Sequence, residues 1–274
     1  MTLSRRDVSD LLARHGTRPS RALGQNFVVD PNTVRRIARL AEVGPGDHVV
    51  EVGAGLGSLT LALRETGAAV TAVEVDTRLL PLLREVVEPV GATVVEADAM
   101  TVDWRALLAG QPRWSLVANL PYNVATPLVA DLLDTVPEIE AMLVMVQREV
   151  GERLAAAPGD EGYGAVSVKV AYWATASVVG RVPATVFLPK PKVESALVRI
   201  ERRPAPAVDP AVVEPDALFA LVRAGFGQRR KMLRRSLAGL VDDTAFVAAG
   251  VPPTARAEEL DVVAWGRLAA CAKR

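Results

Sequence analysis

HVVEVGAGLG, residues 48–57, is an apolar run that ends in three alternating glycines. Its valine-rich half reads as a buried strand, and its glycine half as a turn into SLTLALRE (58–65), whose apolar residues recur at helical spacing. Glycine at 53, 55 and 57 lets the backbone turn sharply and approach a ligand closely, with the next helix N-terminus beneath it. That is a nucleotide-type site. The spacing is G-x-G-x-G followed by Ser58, so the dinucleotide pattern G-x-G-x-x-G is not met. Glu51 precedes the loop, where a carboxylate would repel a pyrophosphate. A ligand carrying positive charge fits it better.

Outward from this stretch, strand-like runs alternate with helical patterns: AVTAVEVD (69–76), ATVVEADA (92–99), SLVANLPY (115–122) and AMLVMVQ (141–147). Such alternation predicts a parallel, doubly wound α/β sheet with crossover helices. Further on, AVSVKVAYWATASVVGRV (165–182) and SALVRIERR (195–203) read as strands that would close the sheet with an antiparallel edge. Prolines 204, 206, 210 and 215 oppose both helix and central strand, so 204–216 reads as a linker. The expected division is a domain over 1–203, with a basic segment at 1–22, then the linker, then a small helical domain over 217–274.

The chain has 274 residues, half of them hydrophobic, which suffices for one large core and a smaller appendage. No run approaches the roughly 18 apolar residues of a membrane span, and the start lacks a signal-peptide apolar region, so a soluble cytoplasmic protein is expected. One cysteine and two histidines leave little for a disulfide or a metal site, and no metal is expected. The net charge is zero, but the basic residues cluster. Arg5, Arg6, Arg14, Arg18, Arg21, Arg35, Arg36 and Arg39 face only three acids in the first 39 residues, and Arg223, Arg229, Arg230, Lys231, Arg234 and Arg235 face none between 217 and 241. Either cluster alone reads equally as a solvated helix face; together they favour a polyanionic partner.

Ligands of doubly wound sheets bind beyond the carboxyl ends of the strands, so Gly53, Glu74, Asp98 and Asn119 should line one crevice. A strand-terminal acid taken singly is commonly no more than a helix N-cap or a solvated turn. As a set, these four strand ends suggest an adenosine-containing cation, S-adenosylmethionine, with Glu74 on its ribose and Asp98 on its adenine amino group. NLPYNVATP (119–127) then gains a purpose if the acceptor is the amino group of a nucleobase. That nitrogen's lone pair is delocalised, and two acceptors must hold its hydrogens so that the lone pair turns toward the methyl. The Asn119 side-chain oxygen and the Leu120 carbonyl can supply them, while Pro121 fixes the turn and Tyr122 offers a stacking face. The plain alternative is a strand-ending Asx-type turn with a core tyrosine.

An ordered series of motifs completes the reading: LGQNFVVD (23–30), EVGAGLGSLT (51–60), AVEVD (72–76), EADAM (96–100), NLPYNVATP, VQREVGERLAA (146–156), VFLPKPKVESALV (186–198) and FGQRRKMLRRSL (226–237). On these segments the chain closely resembles, end to end, the bacterial small-subunit (16S) ribosomal RNA adenine N6,N6-dimethyltransferases. The resemblance implies a Rossmann-like class I methyltransferase sheet with a small C-terminal helical domain. It implies dimethylation, from S-adenosylmethionine, of two adjacent adenosines near the 3′ end of 16S rRNA, on a pre-30S partner and by a monomer. Asn26, Val28, Gly53, Glu74, Asp98 and Asn119 would contact the donor, with Val28, in place of the more usual leucine, using only its backbone. Asn119, Leu120, Pro121 and Tyr122 would hold the target amine, and Phe187 would cover the other face of the base. Without the resemblance, Phe187 reads as a core aromatic before a proline-rich turn. FGQRRKMLRRSL would place Arg229, Arg230, Lys231, Arg234 and Arg235 on one helix as a grip on RNA phosphates, with Arg223 nearby. Three rival readings stay open: a 23S rRNA methyltransferase of the macrolide-resistance type, a non-catalytic rRNA-binding assembly factor, and an NAD-dependent dehydrogenase, the last opposed by the glycine spacing and Glu51.

Overall fold

The computed structural model describes residues 2–20, 22–121 and 123–272. In chain order the elements are α1 (Arg5–Arg14), β1 (Phe27–Val28), α2 (Pro31–Leu40), β2 (His48–Val52), α3 (Ser58–Glu65), β3 (Ala69–Glu74), α4 (Leu80–Val87), β4 (Thr93–Glu96), α5 (Trp104–Leu107), β5 (Trp114–Asn119), α6 (Ala125–Thr135), β6 (Ile139–Gln147) and α7 (Arg148–Leu154). They continue with α8 (Ala165–Trp173), β7 (Ala174–Val182), β8 (Phe187–Leu188), β9 (Ser195–Arg202), α9 (Pro215–Gly227), α10 (Leu233–Ser236), α11 (Asp243–Ala249) and α12 (Val262–Cys271). Contacts divide the chain into two units, residues 1–151 with 177–201 and residues 152–176 with 202–274. Among the described residues no helix is long and apolar enough to cross a membrane.

The sheet runs β4-β3-β2-β5-β6-β9-β7. Its first five strands are parallel and β9 is antiparallel to β6. Such strands are covered on both faces, which is why Val49, Val50, Ala72, Leu116 and Val144 are all buried in near-continuous apolar runs. The chain order reverses at β2, which has β3 on one side and β5 on the other. Connections therefore leave β2 and β5 toward opposite faces and open a crevice at their carboxyl ends. Register makes those ends flush: Val52 pairs with Ala118 and Val73, Glu74 with Glu96, and Asn119 with Met145.

At least four of the eight arginines of the N-terminal cluster make contacts within this unit. Arg5 donates to the carbonyls of Thr185 and Phe187, Arg14 pairs with Glu85, Arg35 with Glu65, and Arg36 donates to the Arg181 carbonyl. These arginines therefore also brace the fold of their own unit.

Three expectations are corrected in the second unit. Residues 165–173 form helix α8, although their alternation read as strand. The Ser167 hydroxyl donates to the Arg153 carbonyl and accepts from the Gly164 N–H, fixing the helix start, and Tyr172 is buried edge-to-face against Phe219 at 5.2 Å. Tertiary packing overrides the β propensity of these valines. Residues 204–216 are an arm packed on the helical core: Val213 is buried in it, Val208 packs against it, and the Ala207 N–H bonds the Tyr172 carbonyl at 2.8 Å. The boundaries at 203 and 216 therefore give way to a unit that takes in 152–176 and 202–274. Lastly, FGQRRKMLRRSL is no single helix. Helix α9 ends at Gly227, residues 229–231 turn, and Met232 forms a bridge with Arg256 before α10 begins. Burial of Leu233 and Leu237 in the helical core demands that change of direction.

Gly57 closes the glycine loop at φ +83°, and a Cβ there would lie 2.4 Å from Val87 Cγ1. Gly57→Ala should cost about 1–3 kcal/mol of stability through left-handed strain and overpacking against α4. Urea unfolding measures it, and an unchanged midpoint would show that the loop has room.

Candidate active site

A cleft of 230 Å³ lies at the reversal point, walled by residues 22–27, the ends of β2 and β3, residues 97–100 and the turn that follows β5. It brings together Asn26, Gly53, Glu74, Asp98, Asn119, Leu120 and Pro121. Val28 lines a smaller cavity of 40 Å³ behind the glycine loop, with Glu51, Ser58 and Asn119. Tyr122 lies outside the described residues. Phe187 is corrected: its side chain is buried in the core cluster beside Val28, opposite which it pairs in the β1–β8 ladder, and it does not line the cleft. A ring so placed stacks on no base in this conformation.

The glycine loop is held by its neighbour strand. The N–H groups of Gly53 and Ala54 donate to the Val73 carbonyl at 2.9 and 3.2 Å, and that of Gly55 to Glu74 Oε2 at 2.8 Å. Glu74 Oε1 accepts from the N–H groups of Val75 and Asp76 at 3.0 and 2.9 Å. Burial raises the Glu74 pKa against the pull of these donors. Asp98 is exposed and accepts from the Met100 N–H at 2.9 Å, an Asx turn that aims its carboxylate at the rim.

Asn119 is oriented by a carbonyl. Its Nδ2 donates to the Asn26 main-chain oxygen at 3.0 Å. A carbonyl only accepts, so the amide must present nitrogen there, and Oδ1 is left without a partner among the described residues. The next residue, Leu120, is buried and anchored by its N–H on the Met145 carbonyl at 3.0 Å. The Pro121 carbonyl accepts from Val124 and Ala125 N–H groups, starting α6.

Several participants were not singled out from the sequence. Gln25 bonds Asp76 at 2.8 Å, and Asp76 also takes two bonds from the Arg78 guanidinium, which holds its carboxyl down to about 2. Both Gln25 and Asp76 stand inside quoted motifs, GQNF and EVD, which was the available signal. Glu51, which was noted, is 2% exposed and accepts from the Thr60 hydroxyl at 2.5 Å. Desolvation pushes its pKa up to about 8. The Ser58 hydroxyl, first in α3, is buried without a partner among the described residues.

This lining fits a donor that is cationic and polar-ended. Among the described residues of the cleft there is no lysine or arginine, while the acids Glu74 and Asp98 are there; Glu51, behind the loop and protonated by its burial, adds no negative charge. A pyrophosphate would meet acids without a cation, which disfavours the dehydrogenase reading. Ser58, at the uncapped start of α3, lines the smaller cavity behind the loop and not the cleft.

On the second unit, Arg223 is exposed on α9, and Arg230, Lys231, Arg234 and Arg235 are exposed on the 229–231 turn and α10, with no ion-pair partner among the described residues. Arg229 differs: it pairs with Glu258 at 2.7 Å and donates to the Glu161 carbonyl.

A carboxyl that titrates near 4.5 when unfolded and near 8 when folded binds more protons in the native state between those values. Its contribution is fully present below the lower value and is lost as pH rises through the higher. Stability should therefore fall across that window, by at most about 1.4 kcal/mol per pH unit from this group. Glu51→Gln should flatten the fall. Equal pH slopes for both proteins in denaturant unfolding would contradict a neutral buried Glu51.

The chain matches the family described as Ribosomal RNA adenine dimethylase over residues 17–272. It is 50% identical to the Ribosomal RNA small subunit methyltransferase A of Kineococcus radiotolerans, an alignment covering 98% of this chain and 91% of that one. It is 49% identical to the protein so named from Thermobifida fusca, over 96% and 93%. Among solved structures it is similar to the 23S rRNA methyltransferase ErmE, at TM-score 0.68 and 29% identity over 89% and 98% of the two chains. The Plasmodium falciparum dimethyladenosine transferase, at TM-score 0.71 and 22% identity over 87% and 94%, shares the fold. The chain is thus a member of the ribosomal RNA adenine dimethylase family.

Proposed function

We propose that the protein uses S-adenosylmethionine to dimethylate N6 of two adjacent adenosines near the 3′ end of 16S rRNA during small-subunit assembly. One observation carries the reading: the Asn119 amide, pinned nitrogen-first on the Asn26 carbonyl, leaves an oxygen acceptor at the rim of an acidic cleft. The family and the names of its relatives at about half identity point to the same substrate. They favour the small-subunit RNA over the 23S reading, since the likeness to ErmE is weaker, at 29% identity.

When bound, the donor supplies an electrophilic methyl group on a positively charged sulfur. Gly53, Glu74 and Asp98, with the Asn26 and Val28 backbones, hold it at the strand ends. Asn119 Oδ1 and the Leu120 carbonyl take the two hydrogens of the target amine and turn its lone pair toward the methyl. Asn119 is no general base, because an amide oxygen does not hold a proton at neutral pH. The proton leaves to solvent after transfer, when the nitrogen carries positive charge and is acidic. Stacking of the base falls to Tyr122. The exposed cations Arg223, Arg230, Lys231, Arg234 and Arg235 position the RNA through its phosphates. The described lining of the cleft comes from one chain, which supports action as a monomer; the relatives' names support a small-subunit RNA, free or in a pre-30S particle in the cytoplasm, as its partner.

Asn119→Ala should slow methyl transfer at least about 10²-fold while leaving RNA affinity nearly intact, since it removes an acceptor that acts on the developing charge. Tritiated-methyl assays on hypomethylated small-subunit RNA measure it, and unimpaired turnover refutes the assignment. Primer extension on both ribosomal RNAs separates the 16S from the 23S reading. Replacing Arg230, Lys231, Arg234 and Arg235 by glutamine should make the plot of log affinity against log salt shallower by about 0.7–0.9 for each phosphate the protein no longer neutralises. An unaltered slope would move the RNA grip elsewhere.

A further inference from the structure

The described residues of the segment from Arg18 to Asn26, between α1 and β1, contribute Ala22, Leu23, Gly24, Gln25 and Asn26 to the wall of the cleft. Among the described residues, two hydrogen bonds lead out of it to the rest of the fold: Gln25 Nε2 to Asp76 Oδ2 at 2.8 Å, and Asn119 Nδ2 to the Asn26 carbonyl at 3.0 Å. Inside the segment Gln25 Oε1 accepts from the Ser20 N–H at 2.7 Å, and the Gln25 N–H bonds the Ser20 carbonyl at 3.1 Å. The Gln25 amide has one satisfying orientation. Asp76, ionised by its Arg78 fork, only accepts, and the Ser20 N–H only donates. One side chain thus folds the segment back on itself and ties it to the turn after β3.

That tie reaches the reacting end of the site by two routes. The Asn26 carbonyl decides which way the Asn119 amide faces, and Gly24, at φ +63°, lies so near Pro121 that a Cβ would be 3.3 Å from the proline Cβ. If the segment lifted, Asn119 Nδ2 would lose its acceptor and the amide could turn either atom toward the target amine.

We propose that Gln25 is a positioning residue for methyl transfer: by clamping Ser20 to Asp76 it holds the Asn26 carbonyl on Asn119, so that Oδ1 and not Nδ2 faces the acceptor nitrogen. This rests on the reading of Asn119 given above. The same clamp makes residues 22–26 a strap along the cleft wall, coupling the place where the donor is held to the place where the amine is aimed.

The test combines amide hydrogen exchange on the free protein with single-turnover transfer at saturating donor and RNA, saturation being checked by calorimetry. In Gln25→Leu the Ser20 and Gln25 amides should exchange faster than in the wild type, and single-turnover transfer should slow about 10- to 100-fold, with RNA affinity within about threefold. Gln25→Glu, which sets acid against Asp76, should be as slow. Combining Gln25→Glu with Asp76→Asn restores an N–H···O contact of reversed polarity, and should bring the rate back to within about threefold of wild type. Unchanged exchange at Ser20 in Gln25→Leu, a full transfer rate in that variant, or failure of the reversed pair to recover would each overturn the proposal. Asn119→Ala is the control for the underlying reading. If it transfers methyl normally, the role of Asn119 fails first; if it is dead while Gln25→Leu is normal, only the clamp fails.

Discussion

The Glu74 carboxylate is the junction on which the cleft depends. It sits at the end of β3, is 5% exposed, and takes backbone N–H groups from two loops at once: Gly55 of the glycine turn and the Val75–Asp76 turn. A buried carboxylate is costly unless its acceptor positions are filled, so the fold forms around it only when both loops close on it. Oε2, with one donor, still has capacity for another. A ligand hydroxyl can therefore add to the arrangement without dismantling it, which is how one residue can be both structural joint and ribose acceptor.

The charge pattern explains why such a site would favour one charge state of its ligand. The described walls hold acids and no basic side chain. A sulfonium donor carries positive charge where the demethylated thioether carries none, so the electrostatic attraction of an acidic cleft acts on the donor and not on the spent product. Glu51 is the partial exception. Neutral below about pH 8, it offers a hydroxyl donor and a dipole in place of a full charge, and Thr60 holds it in place. Depth decides the difference: Asp98 at the rim is exposed, while Glu51 is shut between β3, β5 and α3.

The doubly wound sheet and the crevice at its reversal point were legible in the sequence because both rest on local signals. Buried parallel strands write themselves as valine-rich runs, and three alternating glycines at φ +71°, +60° and +83° mark a loop that other residues tolerate poorly. Residues 165–173 were misread because alternation cannot report the tertiary contacts of Tyr172 and Ser167, and the proline-rich arm because proline opposes regular structure without opposing packing. The basic segment was misplaced on one helix for a like reason: the buried side chains of Leu233 and Leu237, not propensity, set where the chain turns. Phe187 shows the limit of carrying a role by motif, since an aromatic ring is equally at home in a core and on a base. Gln25 stands in plain view within GQNF, yet a partner 51 residues away leaves no local trace of its role.

The choice of asparagine at 119 follows from its two neighbours. An aspartate there would set a carboxylate oxygen against the Asn26 carbonyl, acceptor against acceptor, and would forfeit the 3.0 Å bond that orients the side chain. It would also place a full negative charge beside a cationic donor, stabilising the ground state that the reaction has to leave. A glutamine would add a methylene and carry the oxygen away from the Leu120 carbonyl with which it must share one amine. A serine could accept from the amine but would be too short to reach the Asn26 carbonyl from the same Cα. Asparagine alone among these has a donor for the strap and an acceptor for the substrate on one rigid amide plane, so the group that closes the cleft and the group that aims the amine are the same.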